Sequence, residues 1–186
     1  MNIAILASYN ASSLDTLRTA IQDRTLDLNI VLVISNNSNA VALQKAKDYK
    51  IKNYLINTQN TKNPEEAMHE LLKQYNCDYV LLAGYMKKIS SLITNNFKVL
   101  NSHPSLLPKY GGKGMYGKFV HEAVIKNNET TSGVTVHEVN EKYDDGKIII
   151  QKKLILASNE NAQTLEKKIK QLEQIAVVEA FQKCLK

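Results

Sequence analysis

Asp78-Tyr79-Val80-Leu81-Leu82-Ala83-Gly84 is the stretch whose reading decides the fold. It is a short, nearly continuous apolar run closed by glycine, the signature of a strand covered on both faces. The pattern recurs on its N-terminal side. Asn2–Ala7 reads as a first buried strand and Leu28-Asn29-Ile30-Val31-Leu32-Val33-Ile34 as a second, with Tyr54-Leu55-Ile56 as a short third. Between them lie segments of helical period: Leu14, Leu17 and Ile21 after the first strand, Ala40 to Tyr49 after the second. A third begins at Pro64-Glu65-Glu66, with proline and acids in its first turn, and continues through Ala67, Leu71, Leu72 and Tyr75. Strands alternating with amphipathic helices imply an α/β fold, a mostly parallel sheet with helices on both faces.

The turn after the first strand, Ser8-Tyr9-Asn10-Ala11-Ser12-Ser13, leads into a helix that Ser12 or Ser13 is expected to cap. Strand, small-residue turn and helix N-terminus together begin a Rossmann-like unit, in which the N–H groups of Ala11, Ser12 and Ser13 could hold an anion. The turn contains no glycine, and most such turns bind nothing.

Downstream, Phe97-Lys98-Val99-Leu100 fits as the next strand and delivers Asn101-Ser102-His103-Pro104-Ser105-Leu106-Leu107-Pro108, which holds two of the three prolines. Both prolines disfavour helix and push their predecessors toward extended backbone, so Asn101 and His103 project on one face. Loops at the carboxyl ends of buried strands are where α/β proteins keep their chemistry, which makes this an active-site candidate. The loop from Tyr110 to Gly117 follows, with four of the seven glycines, and reads as a functional loop or lid rather than a dinucleotide fingerprint. Phe119 to Lys126 reads as helix with Val120, Ala123 and Val124 inward, leaving His121, like His69, at the surface or in a loop. Thr131–Val139 and Lys147–Leu156 form a C-terminal β-hairpin turning at Tyr143-Asp144-Asp145-Gly146. A long C-terminal helix runs from about Ala162 to Leu185, with Leu165, Ile169, Leu172 and Ala176 on its core stripe. With no repeat or linker, residues 1–186 are expected to make one domain.

Composition narrows the function classes. The formal charge of +6 comes almost wholly from scattered lysines, without the arginine-rich stripe that nucleic-acid recognition favours. A small anionic substrate or simple solubility accounts for it as well. No apolar run approaches the ~20 residues of a membrane span, and no basic leader precedes the first strand. Cys77 and Cys184 have neither metal nor redox spacing, which suits reduced thiols in a cytoplasmic protein. The histidines at 69, 103, 121 and 137 show no zinc-ligand spacing, and no Gly-x-Ser-x-Gly elbow is present. Asn101, His103 and Asp144 remain. An amide donor, an imidazole donor and a carboxylate that sets the imidazole suit acyl transfer without a protein nucleophile.

Asn-x-His-Pro-Ser-Leu-Leu-Pro, with Gly84-Tyr85-Met86 upstream and Asp144-x-Gly146 downstream, resembles the folate-dependent formyltransferases over nearly the whole chain. The loop Gly112-Lys113-Gly114-Met115-Tyr116-Gly117 followed by Val120-His121-Glu122-Ala123-Val124 is similar to one branch of that family. The resemblance implies a formyltransferase domain that moves a formyl group from 10-formyltetrahydrofolate to the amine of glycinamide ribonucleotide, without metal, as a monomer or homodimer. Relatives with a further terminal domain are longer than this chain. Asn101, His103 and Asp144 would be catalytic, with His103 protonated. Leu82, Met86, Lys87, Lys88 and Ile89, with Val139, Asn140 and Glu141, would contact the folate, and Thr135 and His137 would support the site from behind. Ala11, Ser12, Ser13, Lys109 and Glu173 would serve the nucleotide.

The chain departs from the family where phosphate is read. The family's first turn is Ser-Gly-x-Gly-Ser/Thr-Asn, and here Tyr9 and Ala11 replace both glycines while Ser13 replaces the asparagine. Glu65 and Glu66 stand where many relatives carry an arginine, and Gln174 and Val178 replace a usual histidine and proline. Another acceptor (an amino sugar nucleotide or water) and a silent folate- or nucleotide-binding relative are therefore the competing readings.

Overall fold

The computed structural model describes residues 1–186, and the chain forms two compact units, essentially residues 1–100 and 101–184. In the first, β1 (Asn2–Ala7), β2 (Asn29–Ser35), β3 (Lys52–Leu55) and β4 (Tyr79–Leu82) all pair in parallel, β1 lying between β2 and β4. Helices α1 (Ser12–Gln22), α2 (Val41–Asp48), α3 (Pro64–Gln74) and the short α4 (Ser91–Thr94) connect and follow them. Ile3 to Ala7 are wholly buried, as are Leu32, Val33 and Ile34, so these strands read as unbroken apolar runs because both faces are covered. The chain leaves β1 toward β2 and β3, then returns to its other side as β4, so the strand order reverses between β1 and β4. That reversal opens a crevice at their carboxyl ends.

The strand β5 (Lys98–His103) leads into the second unit, and the full strand order is β3-β2-β1-β4-β5-β6-β7. The second unit holds α5 (Lys118–Lys126), the antiparallel pair β6 (Thr131–Glu138) and β7 (Ile148–Ile155), and α6 (Ala162–Cys184). The α6 helix packs on α5, β6 and β7 through Leu165, Ile169, Ala176, Val177, Ala180 and Phe181. The α/β class, the C-terminal hairpin and the long last helix are as the sequence pattern implies. No helix is long and apolar enough to cross a membrane.

Several local expectations are corrected. Neither Ser12 nor Ser13 caps α1; Ala11 does, in left-handed backbone (φ 48, ψ 60) and without a side-chain cap bond. The β5 strand does not stop at Leu100 but runs on through His103. The core stripe of α6 passes through Val177 and Phe181, while Leu172 is half-buried. His121 is not a surface residue: it is 3% exposed on the inner face of α5. Glu122 beside it and Lys118 one turn before it masked the stripe.

The close approach of Gly146 to Glu138 secures the loop between β6 and β7. A Cβ at Gly146 would lie 1.8 Å from the Glu138 carbonyl oxygen. Gly146→Ala is therefore expected to destabilise the protein by about 1–3 kcal/mol, read as a lower urea midpoint; an unchanged midpoint would show that the loop yields freely.

Candidate active site

The extended backbone of β5 turns Asn101 and His103 to one side, as alternation requires. Beside it, β6 presents His137 on the same register as Thr135, and the loop beyond β6 carries Asp144. These four polar side chains meet within the second unit. The Asn101 amide nitrogen lies 3.2 Å from His137 Nε2. His137 Nδ1 lies 2.8 Å from the Glu138 carbonyl oxygen, which can only accept, so the proton sits on Nδ1. In the neutral ring Nε2 is then the acceptor, and Asn101 must point its NH₂ group at it. This fixes which end of the Asn101 amide donates, and one N–H is left over.

His103 is 3% exposed, and its Nε2 donates to the Tyr110 carbonyl at 2.7 Å. Its other nitrogen, Nδ1, faces Asp144 Oδ2 at 3.5 Å, while Asp144 Oδ1 is 3.5 Å from His137 Nε2. The Asp144 carboxylate also accepts from the Gly112 N–H at 2.8 Å. Burial by itself raises the Asp144 pKa, but the His137 contact, the field of His103 and the Gly112 amide outweigh it and hold the carboxyl below its ordinary range. For His103 burial dominates and lowers the pKa, against the opposing pull of Asp144 and the Tyr110 carbonyl. The expectation of a protonated His103 is corrected for the resting protein: removing the imidazole from water favours its neutral form. A proton reaching Nδ1 would complete an ion pair with Asp144.

Thr135 does not reach this cluster. Its hydroxyl donates to the Ser105 carbonyl at 2.7 Å and accepts from the Leu107 N–H at 3.1 Å, and Gln151 Nε2 donates to it at 3.0 Å. It thereby braces the loop after His103, whose Leu107–Pro108 peptide is cis. Lys109 is mostly exposed and engaged with Glu129 at 2.9 Å. Glu173, on α6, is half-buried; burial raises its pKa, and the nearby Ser102 hydroxyl and Lys170 offset only part of that rise. In the loop after β6, Val139 is half-buried and Asn140 and Glu141 are exposed.

In the first unit, Ala11, Ser12 and Ser13 form the start of α1, with Ala11 and Ser13 buried. Leu82 and Ile89 are buried, whereas Met86, Lys87 and Lys88 are exposed on the turn after β4. Three participants escaped the sequence reading. Tyr110 acts through its carbonyl and Gly112 through its N–H, and main-chain groups leave no mark in a sequence. Ser8, whose hydroxyl accepts from the Met86 N–H at 2.8 Å, has the sequence setting of an ordinary turn serine.

The chain matches the family model described as formyl transferase over residues 1–181. It is 33% identical to the phosphoribosylglycinamide formyltransferase of Haemophilus influenzae, over 92% of this chain and 81% of that protein. It is 32% identical to the chloroplastic phosphoribosylglycinamide formyltransferase of Arabidopsis thaliana, over 90% of this chain. This chain spans 59–60% of the length of that protein and of its Vigna unguiculata counterpart. Among solved structures, phosphoribosylglycinamide formyltransferase from Bacillus halodurans superposes with a TM-score of 0.89 at 26% identity, covering 100% of this chain and 95% of that one.

Two of the three buried histidines, His103 and His121, set an acid sensitivity. Burial lowers the pKa of both His103 and His121, so the unfolded chain binds protons that the folded one refuses. Stability from this source is complete above about pH 6.5, the ordinary histidine value, and is lost as pH falls below it. Urea denaturation at about pH 8, 6.5 and 5 is expected to show a plateau and then a decline, flattened in His103→Gln and His121→Gln; a flat profile in the unsubstituted protein would contradict the burial argument.

Proposed function

Because the chain belongs to the formyl transferase family, we propose that it transfers the formyl group of 10-formyltetrahydrofolate to the amine of glycinamide ribonucleotide, a step of purine biosynthesis. The observation that carries this reading is the linked set Asn101, His137, Asp144 and His103, with one Asn101 N–H left over and a carboxylate facing a neutral imidazole. The amine nitrogen attacks the formyl carbon, and the carbonyl oxygen becomes an oxyanion. The leftover Asn101 N–H stabilises that oxyanion, and His103, charged by taking on Nδ1 the proton that the amine loses, sets its positive charge beside it, a service that reaches its full value only as charge develops. Asp144, held ionised, stabilises the imidazolium and relays that proton, through water, to the folate nitrogen. The bond between the formyl carbon and that nitrogen then breaks, giving the formamide and tetrahydrofolate.

The residues proposed for the ligands lie in both units. In the first, Leu82, Met86, Lys87, Lys88 and Ile89 serve the folate, and the N–H groups at Ala11, Ser12 and Ser13 serve the nucleotide phosphate. In the second, Val139, Asn140 and Glu141 serve the folate, and Lys109 and Glu173 the nucleotide. Lys109 would have to leave Glu129 to do so. The left-handed Ala11 favours the nucleotide reading, because the turn takes a glycine-like path without glycine. Tyr9, 62% exposed in the same turn, favours the alternative of another acceptor.

A formyl-transfer assay with glycinamide ribonucleotide, run beside folate hydrolysis without acceptor, separates these readings. Turnover with the ribonucleotide is expected, and His103→Ala or Asp144→Asn is expected to lower kcat about 10²- to 10³-fold. Rates within a few-fold of the unsubstituted enzyme would overturn the roles assigned; hydrolysis alone would overturn the acceptor.

A further inference from the structure

We propose that Ser8 is a positioning residue for the folate, acting through the turn after β4; this rests on the function proposed above. Ser8 is 2% exposed at the carboxyl end of β1, and each of its polar groups is committed to another loop of the same unit. Its hydroxyl accepts from the Met86 N–H at 2.8 Å and donates to Asn36 Oδ1 at 2.6 Å. Its own N–H donates to the Gly84 carbonyl at 3.2 Å, and its carbonyl accepts from Asn37 Nδ2 at 3.0 Å. Asn36 is tied onward, since its carbonyl accepts from Asn57 Nδ2 at 3.2 Å.

The Met86 bond is the informative one. From Gly84, in left-handed backbone (φ 71), the chain swings out as Tyr85, Met86, Lys87 and Lys88 before Ile89 returns to the interior. Met86, Lys87 and Lys88 are exposed, so little side-chain packing fixes the middle of this turn. The Ser8 hydroxyl fixes it by holding the Met86 N–H, and Asn36 orients that hydroxyl by taking its proton. A hydroxyl can do both at once; a methyl or a thiol of similar size cannot do so comparably. If the turn presents its main chain and Ile89 to the folate, Ser8 sets the geometry of that surface without touching the ligand.

Losing such a hydrogen bond weakens the arrangement it holds by about three- to tenfold. Ser8→Ala is therefore expected to raise the KM for 10-formyltetrahydrofolate by about that factor, with kcat and the KM for glycinamide ribonucleotide changed much less. Ser8→Thr, which keeps the hydroxyl, restores the folate KM. Asn36→Ala, at a half-buried position, leaves the hydroxyl but removes its orienting acceptor, so a smaller shift in the same direction is expected; it decides the matter should Ser8→Ala fail to fold. A melting temperature that falls while the folate KM stays put, or a shift confined to the nucleotide, would overturn the proposal. Calorimetry with a stable 10-formyl folate analogue separates its failure from that of the wider reading. Equal binding by the unsubstituted protein and by Ser8→Ala sinks only the role of Ser8. No binding by the unsubstituted protein sinks the folate function and this role with it.

Discussion

The Asp144 carboxylate is a partly buried anion, and the arrangement of the second unit around it follows from what such a group demands. Withdrawing a carboxylate from water is costly unless donors replace the lost hydration. Here the Gly112 main-chain N–H donates to it, and His103 Nδ1 and His137 Nε2 each stand 3.5 Å away, where a proton gained on either would face the charge. Reaching all three requires an unusual backbone: Asp144 itself has φ 54, a conformation that Asp tolerates better than most residues. It also requires close approach on two sides. Gly146 lies against the Glu138 carbonyl, and a Cβ on Gly111 would come within 3.2 Å of Asp144 Cβ. The loop beyond β6 and the glycine-rich loop are thus shaped by one another, and the carboxylate is the point at which they meet.

That geometry also assigns protonation. His103 gives its Nε2 proton to the Tyr110 carbonyl and leaves Nδ1 toward the carboxylate, so the one vacancy for a further proton faces a negative charge. Burial keeps that vacancy unfilled at rest, and Asp144 lowers the cost of filling it. A group poised in this way can gain charge when a reaction needs it without holding that charge beforehand. His137 has a different part. Held with its Nδ1 proton on the Glu138 carbonyl, it presents Nε2 to the Asn101 amide and so orients that side chain.

Much of this could be read in the chain. The buried runs around Val80-Leu81-Leu82 and Ile3–Leu6 are continuous because both faces are covered, so their alternation with segments of helical period made the parallel sheet visible. Asn101, His103 and Asp144 were visible because prolines and an Asp-Gly turn mark the backbone that carries them. What stayed hidden depends on main-chain groups and on tertiary context. The Tyr110 carbonyl and the Gly112 N–H have no sequence signature. His121 hid because the helical period on α5 is short and flanked by charge. Nor does a sequence show how Thr135 acts, which is through the loop after His103, its hydroxyl bonded at Ser105 and Leu107.

The turn after β1 shows how a substitution that looks decisive in sequence can act on energy rather than on shape. Left-handed backbone costs a residue with a Cβ about 1–2 kcal/mol relative to glycine. Ala11 nevertheless adopts it, because the turn is fixed at other points: the Leu14 N–H closes on the Ala11 carbonyl, the Ala42 N–H bonds the Tyr9 carbonyl, and the Ala11 side chain is buried. Together these hold the chain on its path against the local preference. The missing glycine is thus absorbed as strain, and α1 still begins at Ser12 with its first N–H groups at the end of β1. Tyr9 is different in kind. Its ring stands in solvent where glycine would leave open space, so it changes what can approach the turn rather than how the turn is built. Any difference in acceptor between this chain and its relatives therefore rests more on Tyr9 than on Ala11.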